Sequence, residues 1–173
     1  MIILYVLLAI IVLLAILSYV MPNSYKIEKV ITIDATPEKV YSNVANFSSY
    51  NQWNAWQQGD PTAKNVITGT PCTVGHHYSW EGKKVGVGSL TLKSTVENKS
   101  VEFDLQFVKP MQSTAYDNWT FTAKGSNQCN VTWTNGGMLP NPVMKVLSPL
   151  FRPMLNKQFD KGLSNLKAIC ESN

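Results

Sequence analysis

From Pro149 to about Glu171 the apolar side chains recur at helical spacing. At about 100° per residue, Phe151, Leu155, Phe159, Gly162, Leu163, Leu166, Ile169 and Cys170 fall within one arc of roughly 120°. Asn156, Lys157, Asp160, Lys161, Ser164, Asn165, Lys167 and Glu171 fill the other side. A stripe this wide is too broad for a coiled-coil seam, so the helix must lie on a large apolar surface. Ser148 reads as its N-cap and Pro149 as its first residue. Any fold available to this chain has to supply that surface.

Residues 25–135 read as its source. Ile27, Lys29, Ile31 and Ile33 alternate with Lys26, Glu28, Val30 and Thr32, a strand with one apolar face. Thr36-Pro37-Glu38 starts a short helix that ends near Asn46, with Thr36 as cap and Val40, Tyr41, Val44 and Phe47 inward. A polar stretch with three aromatics, Tyr50 to Trp56, follows and closes at Asp60-Pro61. From Ala63 the period is two. Strands are expected at 63–69, 75–81, 85–96, 99–108, 112–124 and 127–135. Gly136-Gly137-Met138-Leu139-Pro140 reads as a loop, and Asn141-Pro142 as the cap of a short helical turn before the long helix.

The other end of the chain is different. Residues 1–21 contain no charged side chain, and such a run can cross about 30 Å of hydrocarbon as a helix. A cleaved signal peptide would carry a basic start, a shorter apolar core and a small-x-small cleavage site; none is present here. The reading is an uncleaved transmembrane anchor over 1–21 and one folded domain over 22–173, a single-pass membrane protein. Lys26 and Lys29 beyond the span set its orientation only weakly.

Composition removes several function classes. The net charge of +4 is carried by scattered lysines, not by the basic stripe a nucleic-acid surface needs. Cys72, Cys129 and Cys170 lie far apart without metal spacing; Cys129 and Cys170 fall on apolar faces and read as buried thiols. His76 and His77 are adjacent and point to opposite faces of a strand, so they cannot share a metal. There is no phosphate-cradling glycine loop, no cofactor fingerprint and no Ser–His–Asp arrangement. No cofactor, no metal and no nucleic acid are expected, and the chain is expected to be a monomer.

One strand, short helical elements, six antiparallel strands and a long C-terminal helix resemble the helix-grip fold, an α+β class. The resemblance is to the SRPBCC superfamily of START, birch-pollen-allergen and polyketide-cyclase proteins. It is carried by Ile31-Thr32-Ile33-Asp34-Ala35-Thr36-Pro37-Glu38-Lys39-Val40-Tyr41, Trp53-Asn54-Ala55-Trp56 with Asp60-Pro61, Tyr78-Ser79-Trp80-Glu81-Gly82 with Val85-Gly86-Val87-Gly88-Ser89-Leu90, and Phe159 to Lys167. The pattern looks most like the bacterial polyketide cyclase/dehydrase and lipid transport branch, whose members often carry an N-terminal membrane helix. The resemblance implies a seven-stranded antiparallel sheet wrapped around the helix, with a cavity for a lipid or other hydrophobic small molecule.

On that reading the cavity wall is expected to include Tyr78, Trp80, Phe103, Trp119 and Phe159. Trp53 and Trp56 are expected at the mouth, because their flanks are polar, with Met138-Leu139 opposite. Gly162 in mid-stripe fits either close helix–sheet approach or room for a ligand; Gly86 and Gly88 fit sheet curvature. Asp117 shares the face of Trp119 and Phe121, where it is either an acid–base group in the cavity or a residue at the strand's solvated end. Three functions follow: a membrane-tethered, non-catalytic binding module; a cyclase or aldol-type enzyme using Asp117, Tyr78 or His76; and a structural or regulatory membrane protein whose cavity its own side chains fill.

Overall fold

The computed structural model describes residues 2–139 and 141–172, apart from the side chains at positions 7, 10 and 11. Seven strands form one antiparallel sheet: β1 (Ser24–Ile33), β2 (Lys64–Thr68), β3 (His77–Gly82), β4 (Gly86–Val96), β5 (Ser100–Lys109), β6 (Ser113–Ala123) and β7 (Cys129–Met138). Their order is β1-β7-β6-β5-β4-β3-β2, so the first strand closes against the last while β2 forms the far edge. Three short helices, α2 (Pro37–Ala45), α3 (Phe47–Trp53) and α4 (Ala55–Gly59), connect β1 to β2, and α5 (Pro142–Glu171) ends the chain. This is an α+β helix-grip architecture.

Local chemistry explains most of the boundaries. Thr36 caps α2 by accepting the Lys39 N–H at 3.3 Å, with Pro37 at the first helical position. Asn46 ends α2 and caps α3, accepting from Ser48 N–H at 3.0 Å. Asn54 ends α3 and caps α4, accepting from Trp56 N–H at 3.0 Å. Two asparagines thus break a polar aromatic stretch into two helices. Asp60 then takes the Lys84 and Val85 N–H groups at 2.8 and 3.3 Å, tying the end of α4 to the β3–β4 turn. Donation from the Lys84 backbone holds its carboxyl below the usual range.

Two boundaries differ from expectation. Gly136 and Gly137 continue β7 instead of opening a loop, pairing with Lys26 and Tyr25 on β1 and with Tyr116 and Ala115 on β6. A side chain at Gly136 would strike the Tyr116 hydroxyl, so glycine is what lets the ladder continue. Pro140 of the expected loop lies outside the described residues.

The long helix also starts earlier than expected. Asn141 is its cap, accepting from Val143 N–H at 2.8 Å, and α5 continues through Pro149 and Pro153. Ser148 is therefore not a cap. Pro149 has no N–H for the Lys145 carbonyl, and the Ser148 hydroxyl donates to that carbonyl instead, at 2.9 Å.

The core lies between α5 and the sheet. Phe159, Gly162, Leu163, Leu166 and Cys170 are buried on α5, facing Ile33, Val101, Phe103, Trp119, Val131 and Trp133. The expected stripe is shorter than its sequence suggests, because Phe151 remains 48% exposed where α5 passes beyond the core. Cys129 and Cys170 are buried free thiols, and burial pushes the Cys170 thiol up to about 11.

At the N-terminus α1 (Ile2–Val20) is one continuous 19-residue helix that touches α5. Among the described residues, which leave out three side chains within α1, no helix is long and apolar enough to cross a membrane. The expected transmembrane helix is thus not part of the fold the structure supports, and Met1 and Asn173 lie outside the described residues.

Candidate functional site

A cavity of about 430 Å³ opens between the sheet and the middle of α5. That volume falls within the range usual for small-molecule sites, and the cavity is not filled by the protein's own side chains. Aromatic and aliphatic groups dominate it. Trp80 and Tyr78 come from β3, Leu90 from β4, Leu105 and Phe107 from β5, Trp133 from β7, Trp56 from α4, and Leu155 and Phe159 from α5. A separate shallow hollow by Thr36, Glu97 and Phe121 is mostly open to solvent.

The wall is assembled by paired positions. Trp80 lies opposite Gly88 in the β3–β4 ladder, and its indole occupies the space a side chain there would need. The β4–β5 register shifts between Val87 and Gly88, where such irregularity curves a sheet. Trp56 sits edge-on to both Phe159 and Trp133, with ring centroids 5.4 and 6.1 Å away. Gly162 lets α5 approach Trp133, whose ring would lie 3.3 Å from an added Cβ. Close packing, not ligand space, is therefore its role.

Asp117 lies on this wall, 3% exposed, and not at a solvated strand end. The β6–β7 register places it beside Asn135 and places Trp119 beside Trp133. Three neutral donors converge on the carboxylate. Trp133 Nε1–H and Asn135 Nδ2–H reach Oδ1 at 2.7 and 2.9 Å, and Trp119 Nε1–H reaches Oδ2 at 2.9 Å. Tyr25 Oη–H in turn donates to Asn135 Oδ1 at 3.0 Å, which orients that amide. Burial pushes the Asp117 carboxyl above the usual range, while the three donors pull it down.

The other chemistry candidates sit differently. His76 is buried against Phe47 and away from the cavity. Its Nε2 accepts the Phe47 N–H at 3.2 Å, so Nδ1 carries the proton it gives to the Thr68 carbonyl at 3.1 Å. Both ring nitrogens are engaged in holding α3 to the sheet. Tyr78 presents its ring to the cavity, but its hydroxyl donates to Asn65 Oδ1 at 3.0 Å and burial pushes it up to about 12. Neither is available for proton transfer to a ligand. Among the described residues no group of three or more His, Cys, Asp or Glu could hold a metal.

Of the residues expected at the site, the cavity brings together Trp56, Tyr78, Trp80, Phe159 and Asp117. Phe103 and Trp119 lie behind the wall, fully buried. Trp53 is not at the mouth: it is 1% exposed, its indole N–H donating to the Asn43 carbonyl at 2.9 Å. Met138 and Leu139 do not line the cavity. Tyr25, Tyr50, Leu105, Phe107, Trp133, Asn135, Leu155 and Gln158 were not anticipated there. Tyr25, Trp133 and Asn135 were signalled by two-residue alternation with Ile27 and Val131, but recognising them needed the strand pairing.

Residues 24–171 match the family described as polyketide cyclase / dehydrase and lipid transport. No curated protein matches the chain in sequence. Solved structures share the fold at low identity. The protein CV1439 from Chromobacterium violaceum is 14% identical, with a TM-score of 0.62 over 88% of this chain and 100% of that one. The di-domain ARO/CYC StfQ from the steffimycin biosynthetic pathway is 10% identical, with a TM-score of 0.62 over 86% of this chain and 51% of that one. The Aha1 dimer from Colwellia psychrerythraea is 20% identical, with a TM-score of 0.58 over 85% of this chain and 96% of that one.

Proposed function

Since this chain belongs to the polyketide cyclase / dehydrase and lipid transport family, we propose that it is a membrane-tethered, non-catalytic module that binds a lipid or other hydrophobic small molecule. The observation that carries the reading is the open cavity of about 430 Å³, lined by Trp56, Trp80, Trp133, Phe107 and Phe159. Burying an apolar molecule there recovers about 25 cal/mol per Å² removed from water. Among the described lining residues the ionisable groups are Asp117, Lys84 and the tyrosines Tyr25, Tyr50 and Tyr78.

The tether is motivated by α1 and its surroundings. Residues Ile2–Val20 carry no charged side chain and form one continuous helix. Ile3, Leu4, Leu8, Leu13 and Ile16 are each more than half exposed. The first half of α5 also exposes Val143, Leu150 and Met154. A lipid phase would cover both surfaces. The side of the membrane is left open, and the module is taken to act as a monomer.

Native mass spectrometry of the chain purified in mild detergent tests the function. A co-purifying apolar molecule is the expected result, and the binding of an apolar fluorescent probe should be competed by it. Trp56→Ala should weaken that probe by several-fold while leaving the melting temperature nearly unchanged, since Trp56 is only partly buried. Unchanged binding would remove this cavity from consideration. One observation favours a second reading: Asp117 is a buried carboxylate of raised pKa on the wall, suited to general acid–base work. A product formed by the native chain and lost in Asp117→Asn, with probe binding retained, would establish the enzyme instead.

A further inference from the structure

Two polar side chains on the cavity wall, Asp117 and Gln158, carry hydrogen-bond acceptors with capacity to spare. Asp117 is a carboxyl group held by three N–H donors, which favour its ionised form against the burial that raises its pKa. All three donors are neutral, and none of the four salt bridges among the described residues involves Asp117. A buried carboxylate without a countercharge is costly unless something supplies one. Its Oδ2 accepts from Trp119 alone, which leaves acceptor capacity on that oxygen.

Gln158 gives a second, independent observation. It lies on α5 along the same cavity, and its Oε1 is buried with no hydrogen-bond partner. A buried carbonyl oxygen left open is unfavourable unless a donor reaches it. The cavity wall therefore carries an anionic acceptor and a neutral acceptor among mainly aromatic and aliphatic side chains. The one basic residue on its lining, Lys84, has its ammonium directed to the Gly59 carbonyl at 3.4 Å. A ligand that satisfies both acceptors must bring N–H donors and positive charge together.

We propose that the cavity selects an amphipathic amine, its apolar body between α5 and the sheet and its ammonium group served by Asp117 and Gln158. This rests on the hydrophobic-ligand reading above and narrows it to one chemical class. A fatty acid or other anionic amphiphile is disfavoured, because its head would meet the Asp117 charge. A neutral alcohol would donate its hydroxyl to the same oxygens but bring no charge to balance Asp117.

Decylamine, decan-1-ol and decanoate carry the same chain with a cationic, neutral or anionic head, and their binding to the full chain in mild detergent tests this. Quenching of cavity tryptophans reports occupancy, and decan-1-ol reports partition into detergent plus the apolar contribution. The expected order is decylamine tightest by at least tenfold, then decan-1-ol, with decanoate weakest. Asp117→Asn should bring decylamine down to the level of decan-1-ol and weaken decan-1-ol far less than decylamine. Gln158→Leu should weaken decylamine a few-fold and spare decan-1-ol; this partly exposed helix position keeps the test usable if Asp117→Asn does not fold. Equal affinity of amine and alcohol for the native chain overturns the amine assignment and leaves the hydrophobic-ligand reading standing. Tightest binding by decanoate overturns it in favour of a site organised by Lys84. Saturable binding of none of the three overturns both.

Discussion

His76 shows what one buried side chain can settle. Its neutral form both accepts from Phe47 N–H and donates to the Thr68 carbonyl, and the ring stacks on Phe47 at 4.6 Å. Protonation would place a second N–H against the Phe47 donor. Burial accordingly lowers its pKa from 6.5. A lowered histidine pKa means that the unfolded chain binds the proton more readily, so stability falls as pH drops below about 6.5. Denaturant midpoints should decline between about pH 6.5 and 5, before the exposed carboxylates protonate. His76→Gln should flatten that decline, and an unchanged slope would assign it elsewhere. In sequence, His76 and Trp53 both suggested function, yet both are structural for the same reason. The polar groups around Trp53 satisfy the protein rather than water: Asn54 caps α4, and Asn165 Nδ2–H reaches the Trp53 carbonyl at 2.9 Å. Residue type cannot show where a hydrogen-bonding partner is. Asp117 is the converse case, since its cost on an apolar face was readable but its three donors depended on register.

At the scale of elements, α5 separates what periodicity reveals from what it cannot. The stripe from Phe159 to Cys170 was legible and is buried. Its continuation to Phe151 was equally regular but meets no core. A 30-residue helix is about 45 Å long, whereas seven strands spaced about 4.8 Å apart make a sheet roughly 30 Å wide. Helical pattern records an apolar face without recording where its partner ends. Leu163→Ala should therefore cost about 2–5 kcal/mol, as expected for a side chain 4% exposed. Phe151→Ser and Lys157→Ala should each leave chemical denaturation nearly unchanged. Comparable losses at Leu163 and Phe151 would mean that the first half of α5 is packed after all. The strands tell a similar story. Their faces were readable one at a time, but the pairing of β1 with β7 closes more than 90 residues of chain and has no local signal; the resemblance implied one antiparallel sheet without giving its strand order.

At the scale of the whole molecule, the question is how α1 belongs to the rest. None of its described residues joins the buried core, and Ile2, Ile3 and Leu4 are 80, 77 and 69% exposed. A helix with so many apolar side chains facing water is unfavourable unless another phase covers it. The folded domain, by contrast, contains its own core from Ile27 to Cys170. If the two parts are energetically separate, deleting residues 1–22 should leave the melting temperature of the remainder within a few degrees of the full chain. The same deletion should move the protein from the membrane pellet to the supernatant after high-speed sedimentation. A large drop in melting temperature would mean that α1 is a packed part of the domain through its contact with α5. An unchanged distribution on sedimentation would remove α1 as the tether. The cavity should be indifferent to the deletion, because none of the described residues of α1 lines it. Decylamine affinity measured on the shortened chain should then match that of the full chain, now without detergent. A loss of affinity with the fold intact would show that α1, through α5, helps to hold the cavity open.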